Sequence, residues 1–434
     1  MLKRPRKETD WFLNYKDYNR HYVDKNFFQN RILTNNVMLS LDTEKTKRNN
    51  NVFVLANNND ADNYILSNIL QANTNYIIPD VGGKFYQKTK NFFQQNGYSI
   101  QVFNLCNPNE SICYNPFKHF ILENGNYKDS IDKTIMSLFK NDTQLQEINE
   151  KCLLLALINY IINNMSAEYH SFSNVLDLLY LIDFEQENVL ENLDELFDNV
   201  DKNSIIWKYY KIFKTSSGTN IKQVVLSLSE KLSAFKKDAI KNITNTDTLL
   251  FKEFAENKNV LFVILPEKDQ SYYPIVNMLF SQIIEDLYRK EHFKHPTMIF
   301  VDSIQLTSLE DLHKYNQHGI QLSIICHSLT DLQHQYIEKW DYFIANCDSF
   351  LYMSGKNQND FQYVSQMLGK KSALSKKNIQ TRILNCYVFD NLMSVKEVEQ
   401  LPPNKNILII RGLKPFMSEK YQLNKHPNFQ QLII

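Results

Sequence analysis

The sequence predicts an α/β fold: a mainly parallel sheet flanked by helices, with an all-α domain inserted between its two halves. Two observations predict it. Short, fully apolar runs alternate with helix-like stretches in two separated regions, the pattern of strands buried on both faces. Between those regions the apolar period changes from 2 to 3.6.

Residues 1–50 form a polar, aromatic and basic segment that ends in "KTKRNNN". The first apolar run, "NVFVL" (51–55), is followed by the polar loop "ANNNDAD" and a helix-like stretch. Two further strand runs follow, "NYIIP" (75–79) and "SIQVF" (99–103). Residues 123–249 then read as helical throughout. In "TNIKQVVLSLSEKLSAF" the residues Ile221, Val224, Val225, Leu228, Leu232 and Phe235 make one stripe. "SNVLDLLYLI" behaves likewise, with Ser173 in the N-cap position. Alternation returns with "NVLFVILP" (259–266) and a helix that carries Pro274 in its first turn. "TMIFVD" (297–302), "QLSIIC" (321–326), "SFLYM" (349–353) and "NILII" (406–410) complete the strand set. Residues 51–122 plus 250–430 therefore make one α/β domain, and 123–249 the insertion.

Composition narrows the function. The 48 basic and 48 acidic side chains cancel, so nucleic acid coated by bulk charge is unsupported, and DNA contact would need local patches. The six cysteines contain no C-x-x-C pair, which fits reduced thiols in a cytosolic protein. The ten histidines show no zinc spacing, so no metal is expected. The N-terminus lacks an apolar signal region, and the longest apolar run, "CLLLALINYII", is too short for a membrane span. "KRPRK" is read as a solvated tail, with anionic lipid or nucleic acid as the alternative contact. Glycine is scarce, nine in 434 residues, although phosphate-cradling loops depend on it for close backbone approach.

Several phrases then occur in order: "KTKRNNNVFVL", "NILQANTNYIIPD", "GYSIQVFNL", "YNPF", "FSNVLDLL", "SLSEKLSAF", "FVDS", "SIICHSLTDLQ", "NCDSFLYMSGKNQ" and "LPPNKNILIIRGLKPF". In this order, with a helical insertion between the halves, the chain resembles the TraG-like type IV coupling proteins of conjugative elements. The resemblance covers about residues 31–427. It implies a RecA-like P-loop NTPase fold, a hexameric ATPase anchored by N-terminal membrane helices, and delivery of relaxase-bound DNA to a type IV secretion channel.

The departures fall on the chemistry. The family's phosphate loop, G-G-x-G-x-G-K-T, maps onto Leu55, Ala56, Asn57, Asn58, Asn59, Asp60, Ala61 and Asp62. The lysine that should reach the phosphates is Ala61. Asp60 and Asp62 place up to two negative charges where a polyphosphate would lie, a repulsion on the order of several kcal/mol. At the second motif Asp302 is kept, but the glutamate position is Ser303, which cannot serve as a base at neutral pH. "KYNQHGIQ" lacks the arginines of the family's corresponding segment, and the family's strand-end glutamine is His327. "PDVGGK" keeps Asp80 and loses its lysine position to Gly82. Gly355, Gln358 and Arg411 match the family; they are read as structural, with Arg411 paired to a carboxylate.

The expectation is a degenerate member: a pseudo-ATPase acting as adaptor or accessory in recruiting DNA-transfer substrates, with no catalytic residue and no cofactor. The alternative is an active ATP-dependent DNA translocase that uses ATP and Mg²⁺ and borrows Lys84 or Lys356. A structural assembly protein, or a decaying gene, is the third reading; intact apolar patterning argues against decay. Expected partners are a relaxase or other transfer substrate, an active coupling protein or type IV secretion components, and further copies in a homo- or hetero-oligomer. The expected location is the cytoplasm, peripheral at the inner face of the plasma membrane through partners, because the family's membrane helices are missing.

Overall fold

A computed structural model describes residues 12–432, apart from 123–126, 140–144, 183–184, 186–188, 252, 291–293, 303–318, 337–339 and 380–381. The strands in chain order are β1 (Asn30–Ile32), β2 (Met38–Ser40), β3 (Val52–Leu55), β4 (Asn75–Val81), β5 (Ser99–Asn104), β6 (Asn259–Leu265) and β7 (Thr297–Asp302). They continue with β8 (Ile320–Cys326), β9 (Ser349–Tyr352), β10 (Lys370–Ile379), β11 (Arg382–Asn391), β12 (Lys405–Ile410) and β13 (Phe416–Glu419). All eight strand runs expected from the sequence are strands. β1, β2, β10, β11 and β13 are additional.

Nine strands form the main sheet, in the order β13-β12-β9-β3-β8-β7-β4-β6-β5. β3 to β9 run parallel, and β12 joins β9 antiparallel. Full burial of both faces explains the unbroken apolar runs. Phe53 and Leu55 of β3 enter one core cluster, whereas Val52 and Val54 enter the other. β6 divides in the same way, Leu261, Val263 and Leu265 against Val260, Phe262 and Ile264.

One face carries the helices Asn58–Ile69 and Lys84–Gln95 and the β1–β2 hairpin. The other face carries the helix Tyr273–Tyr288, with Pro274 in its first turn, and the apolar cluster of the helical insertion. Helix Leu145–Asn164 lies at the centre of that insertion. It buries Leu153, Leu154, Leu155, Ala156, Leu157 and Ile158 in succession, which makes it apolar all round. Among the described residues no helix is long and apolar enough to cross a membrane.

Two expectations need correction. The helix Phe172–Leu179 is capped by Ser171, whose side chain accepts from the Asn174 N–H; Ser173 sits inside the first turn and donates to Asn245. Ser171 precedes the aromatic residue that starts the buried face, so the cap falls two residues earlier than the apolar phrase implies. The segment before β3 is not merely polar tail over its described part. Tyr18, Leu33, Val37 and Leu39 are buried in the core cluster on the same face of the sheet as the helix Asn58–Ile69.

Candidate functional site

In open α/β sheets ligands bind outside the carboxyl ends of parallel strands, and there Asp302, His327, Asp80 and the segment of Gly355 and Gln358 lie; Arg411 follows the antiparallel β12 and sits at the opposite end, beside the start of β9. Register explains the meeting. Leu55 of β3 lies opposite Cys326 of β8, and Asp302 of β7 opposite Ile325, so Ala56, His327 and Asp302 leave the sheet side by side. Ser303 lies outside the described residues, as do residues 314–318 of the arginine-free segment.

The loop after β3, onto which the resemblance maps the family's phosphate loop, forms a helix cap. Asn57 is extended (φ −71°, ψ 171°) and its side chain accepts from the Asp60 N–H at 3.0 Å, an Asn-x-x-Asp start to the helix Asn58–Ile69. The Asn57 N–H donates to Ser354 Oγ at 2.8 Å, and the Ala56 and Ala61 N–H groups donate to the Cys326 and Asn57 carbonyls. Four amides of this loop, those of Ala56, Asn57, Asp60 and Ala61, are thus bonded within the chain.

The two carboxylates are not bare charges, which corrects the expected repulsion. Asp60 is 9% exposed, and its Oδ2 accepts from Lys420 Nζ at 2.7 Å, Ser354 Oγ at 2.9 Å and Asn57 Nδ2 at 3.0 Å. Asp62 takes both its bonds from Lys84, at 2.6 and 2.7 Å. Lys84, one of the two lysines the sequence offered as substitutes, is therefore engaged by Asp62. Lys356, the other, is exposed and lies 4.0 Å from Asp331. Lys420 escaped the sequence reading: it sits 360 residues from its partner, and nothing local marks it. Asn57 could have been found, since Asn with Asp three residues on is a capping pattern.

His327 links two motifs. A carbonyl can only accept, so Nδ1–H donates to Ala56 O at 2.9 Å, and Nε2 faces Asp302 Oδ2 at 3.8 Å. Asp80, next to last in β4, is fully buried; its two oxygens accept from the Phe85 and Tyr86 N–H groups at 2.9 and 2.7 Å, capping the helix Lys84–Gln95. Gly82 and Gly83 form the turn between them with φ of 74° and 76°, where only glycine is unstrained.

Burial pushes the Asp80 carboxyl up from 3.8 to about 6, against the opposing pull of its two N–H donors and Lys84. A raised folded value means that the native state holds the proton more tightly than the unfolded chain. Its stabilisation is present below 3.8 and is lost as pH rises through about 6. Asp80→Asn is expected to remove a downward slope of up to ~3 kcal/mol across that window. Denaturant titrations between pH 4 and 7 check this; an unchanged slope would exclude Asp80 as its source.

The remaining family-matching positions hold the frame. A Cβ on Gly355 would lie 2.6 Å from the Phe361 ring, so the close approach requires glycine. Gln358 begins the helix Gln358–Leu368, behind an Asn357–Asp360 capping box. Arg411 pairs with Asp348 at 3.2 Å and donates to the Ala345 carbonyl. Among the described residues no cluster of three or more His, Cys, Asp or Glu side chains is placed to hold a metal ion.

The fold has known counterparts. The bacterial conjugative coupling protein TrwBdeltaN70, unbound, superposes with a TM-score of 0.68 at 14% identity, over 95% of this chain and 94% of that one. The plasmid coupling protein TrwB in complex with ADP and Mg²⁺ gives 0.68 at 14%, over 94% and 92%. VirB4 of Thermoanaerobacter pseudethanolicus gives 0.53 at 12%, over 92% and 97%. Comparison with curated protein sequences finds no match. The architecture is thus that of the RecA-like P-loop NTPases. The sequence profile described as "Type IV secretory system Conjugative DNA transfer" matches residues 60–433, most of the chain, and the chain belongs to that family.

Proposed function

We propose that this chain is a non-hydrolysing member of its family, an adaptor that recruits DNA-transfer substrates through its surfaces instead of through a nucleotide cycle. One observation supports the reading: the Asn57 and Asp60 amides of the loop after β3 and both its carboxylates are bonded by the chain's own caps and lysines. An incoming polyphosphate would have to break two ion pairs and a helix cap, and Ala61 offers no cation in return. Residues 51–122 plus 250–430 would supply the scaffold and 123–249 the recognition surface, with a relaxase or an active coupling protein as partner.

Melting with and without Mg-ATP tests this. A ligand at a hundred times its Kd adds about 2.7 kcal/mol, a shift of several degrees. The expected result is no shift and no phosphate release. A shift of several degrees that disappears in Asp302→Ala would establish a working nucleotide site.

A further inference from the structure

Residues 420–432 run along the helix Asn58–Ile69 and hold it at both ends. At the start, Lys420 Nζ reaches Asp60 Oδ2 at 2.7 Å, with both side chains largely covered, 15% and 13% exposed. Lys420 is fixed in turn by its own N–H, which donates to the Asn404 carbonyl. At the far end, Asn428 Nδ2 donates to the Leu70 carbonyl at 2.9 Å. His426 accepts the Asn428 N–H on Nδ1 at 3.1 Å, which leaves Nε2–H to donate to Gln71 Oε1, also at 3.1 Å. Leu423, between these points, and Phe429 and Leu432, beyond them, pack on the same core cluster.

A strand–loop–helix built around a ligand loses that ligand's ordering free energy when the ligand is absent. Here the chain supplies a replacement. We propose that residues 420–432 are an in-cis latch: Lys420 takes the place of a ligand at the emptied loop, and the His426–Asn428 end keeps the helix seated. Asp60 is the keystone, because one carboxylate oxygen gathers Lys420, Ser354 and Asn57, which come from three separate parts of the chain. This inference rests on the reading of the site as one that takes no nucleotide. The loop and the C-terminal segment then open together.

Hydrogen exchange on the full chain tests the latch. Lys420→Met is expected to speed exchange on the order of tenfold both at residues 56–62 and at 420–432. Asp60→Asn should do the same, and the double variant should exchange no faster than either single one, since each acts through the other. Lys405→Met, which removes a surface pair with Glu419 on the neighbouring hairpin, should leave the loop unchanged. Unchanged loop exchange in Lys420→Met, or additive effects in the double variant, would overturn the latch. Because nucleotide binding is read separately, loss of the latch would leave the adaptor reading standing, and ATP binding by the native chain would not mimic it.

Discussion

Arg31→Ala is expected to lower the unfolding free energy by about 4 kcal/mol. Arg31 is fully buried, and its guanidinium has no carboxylate partner among the described residues. It donates instead to Tyr64 Oη at 3.1 Å, to the Asn50 and Leu322 carbonyls and to Ser323 Oγ. These groups belong to the helix behind the phosphate loop, the entry to β3 and the start of β8. Truncation removes one side chain, yet takes a donor from two carbonyls and two hydroxyls, leaving the Tyr64 and Ser323 hydroxyls their mutual bond at 3.4 Å, and opens a cavity; each unsatisfied buried group costs roughly 1–3 kcal/mol, offset in part by relaxation. Arg31→Lys should recover less than half, because a single ammonium cannot span a planar fork of partners. Urea unfolding measures both. A loss under about 1 kcal/mol for Arg31→Ala would show that water replaces the guanidinium without penalty.

Asp360→Ala is expected to cost about 3 kcal/mol. The side chain is fully buried and serves two helix N-termini together. Oδ1 accepts from the Leu329 N–H at 2.9 Å, at the start of helix Leu329–Gln335; Oδ2 accepts from the Lys356 and Asn357 N–H groups at 2.8 and 3.2 Å. A carboxylate is favoured there by both helix dipoles as well as by the three donors. Asp360→Asn keeps one acceptor but turns an amide N–H toward the remaining donors, so an intermediate loss is expected. Equal losses for Asn and Ala would point to charge, and not acceptor geometry, as the source. The substitution also frees the segment carrying Gly355, so its effect reaches Ser354 and through it the capped loop.

These two residues show how unevenly the molecule could be read in advance. Strands such as Asn259–Leu265 were legible because burial on both faces demands an unbroken apolar run, and that demand is written in consecutive positions. The short strands β1, β2 and β13 were not, because three or four residues contain too little periodicity to separate strand from loop. At the site, the resemblance sets Ala61 at the family's lysine position from identity alone. The assumption that Asp60 and Asp62 would repel an anion as bare charges failed, since a carboxylate's effective charge depends on what neutralises it. His327 was recognised as a replacement, but its bond to Ala56 O depends on strand register, which only pairing in space establishes.

The sequence by itself determined the fold class, because that depends on residue identity and short-range period. Only the tertiary structure decided what surrounds the loop after β3. The Lys420–Asp60 pair spans 360 residues and the Arg31–Ser323 contact 292. Contacts at that separation arise when the completed sheet brings its strand ends together, and no local pattern along the chain encodes them.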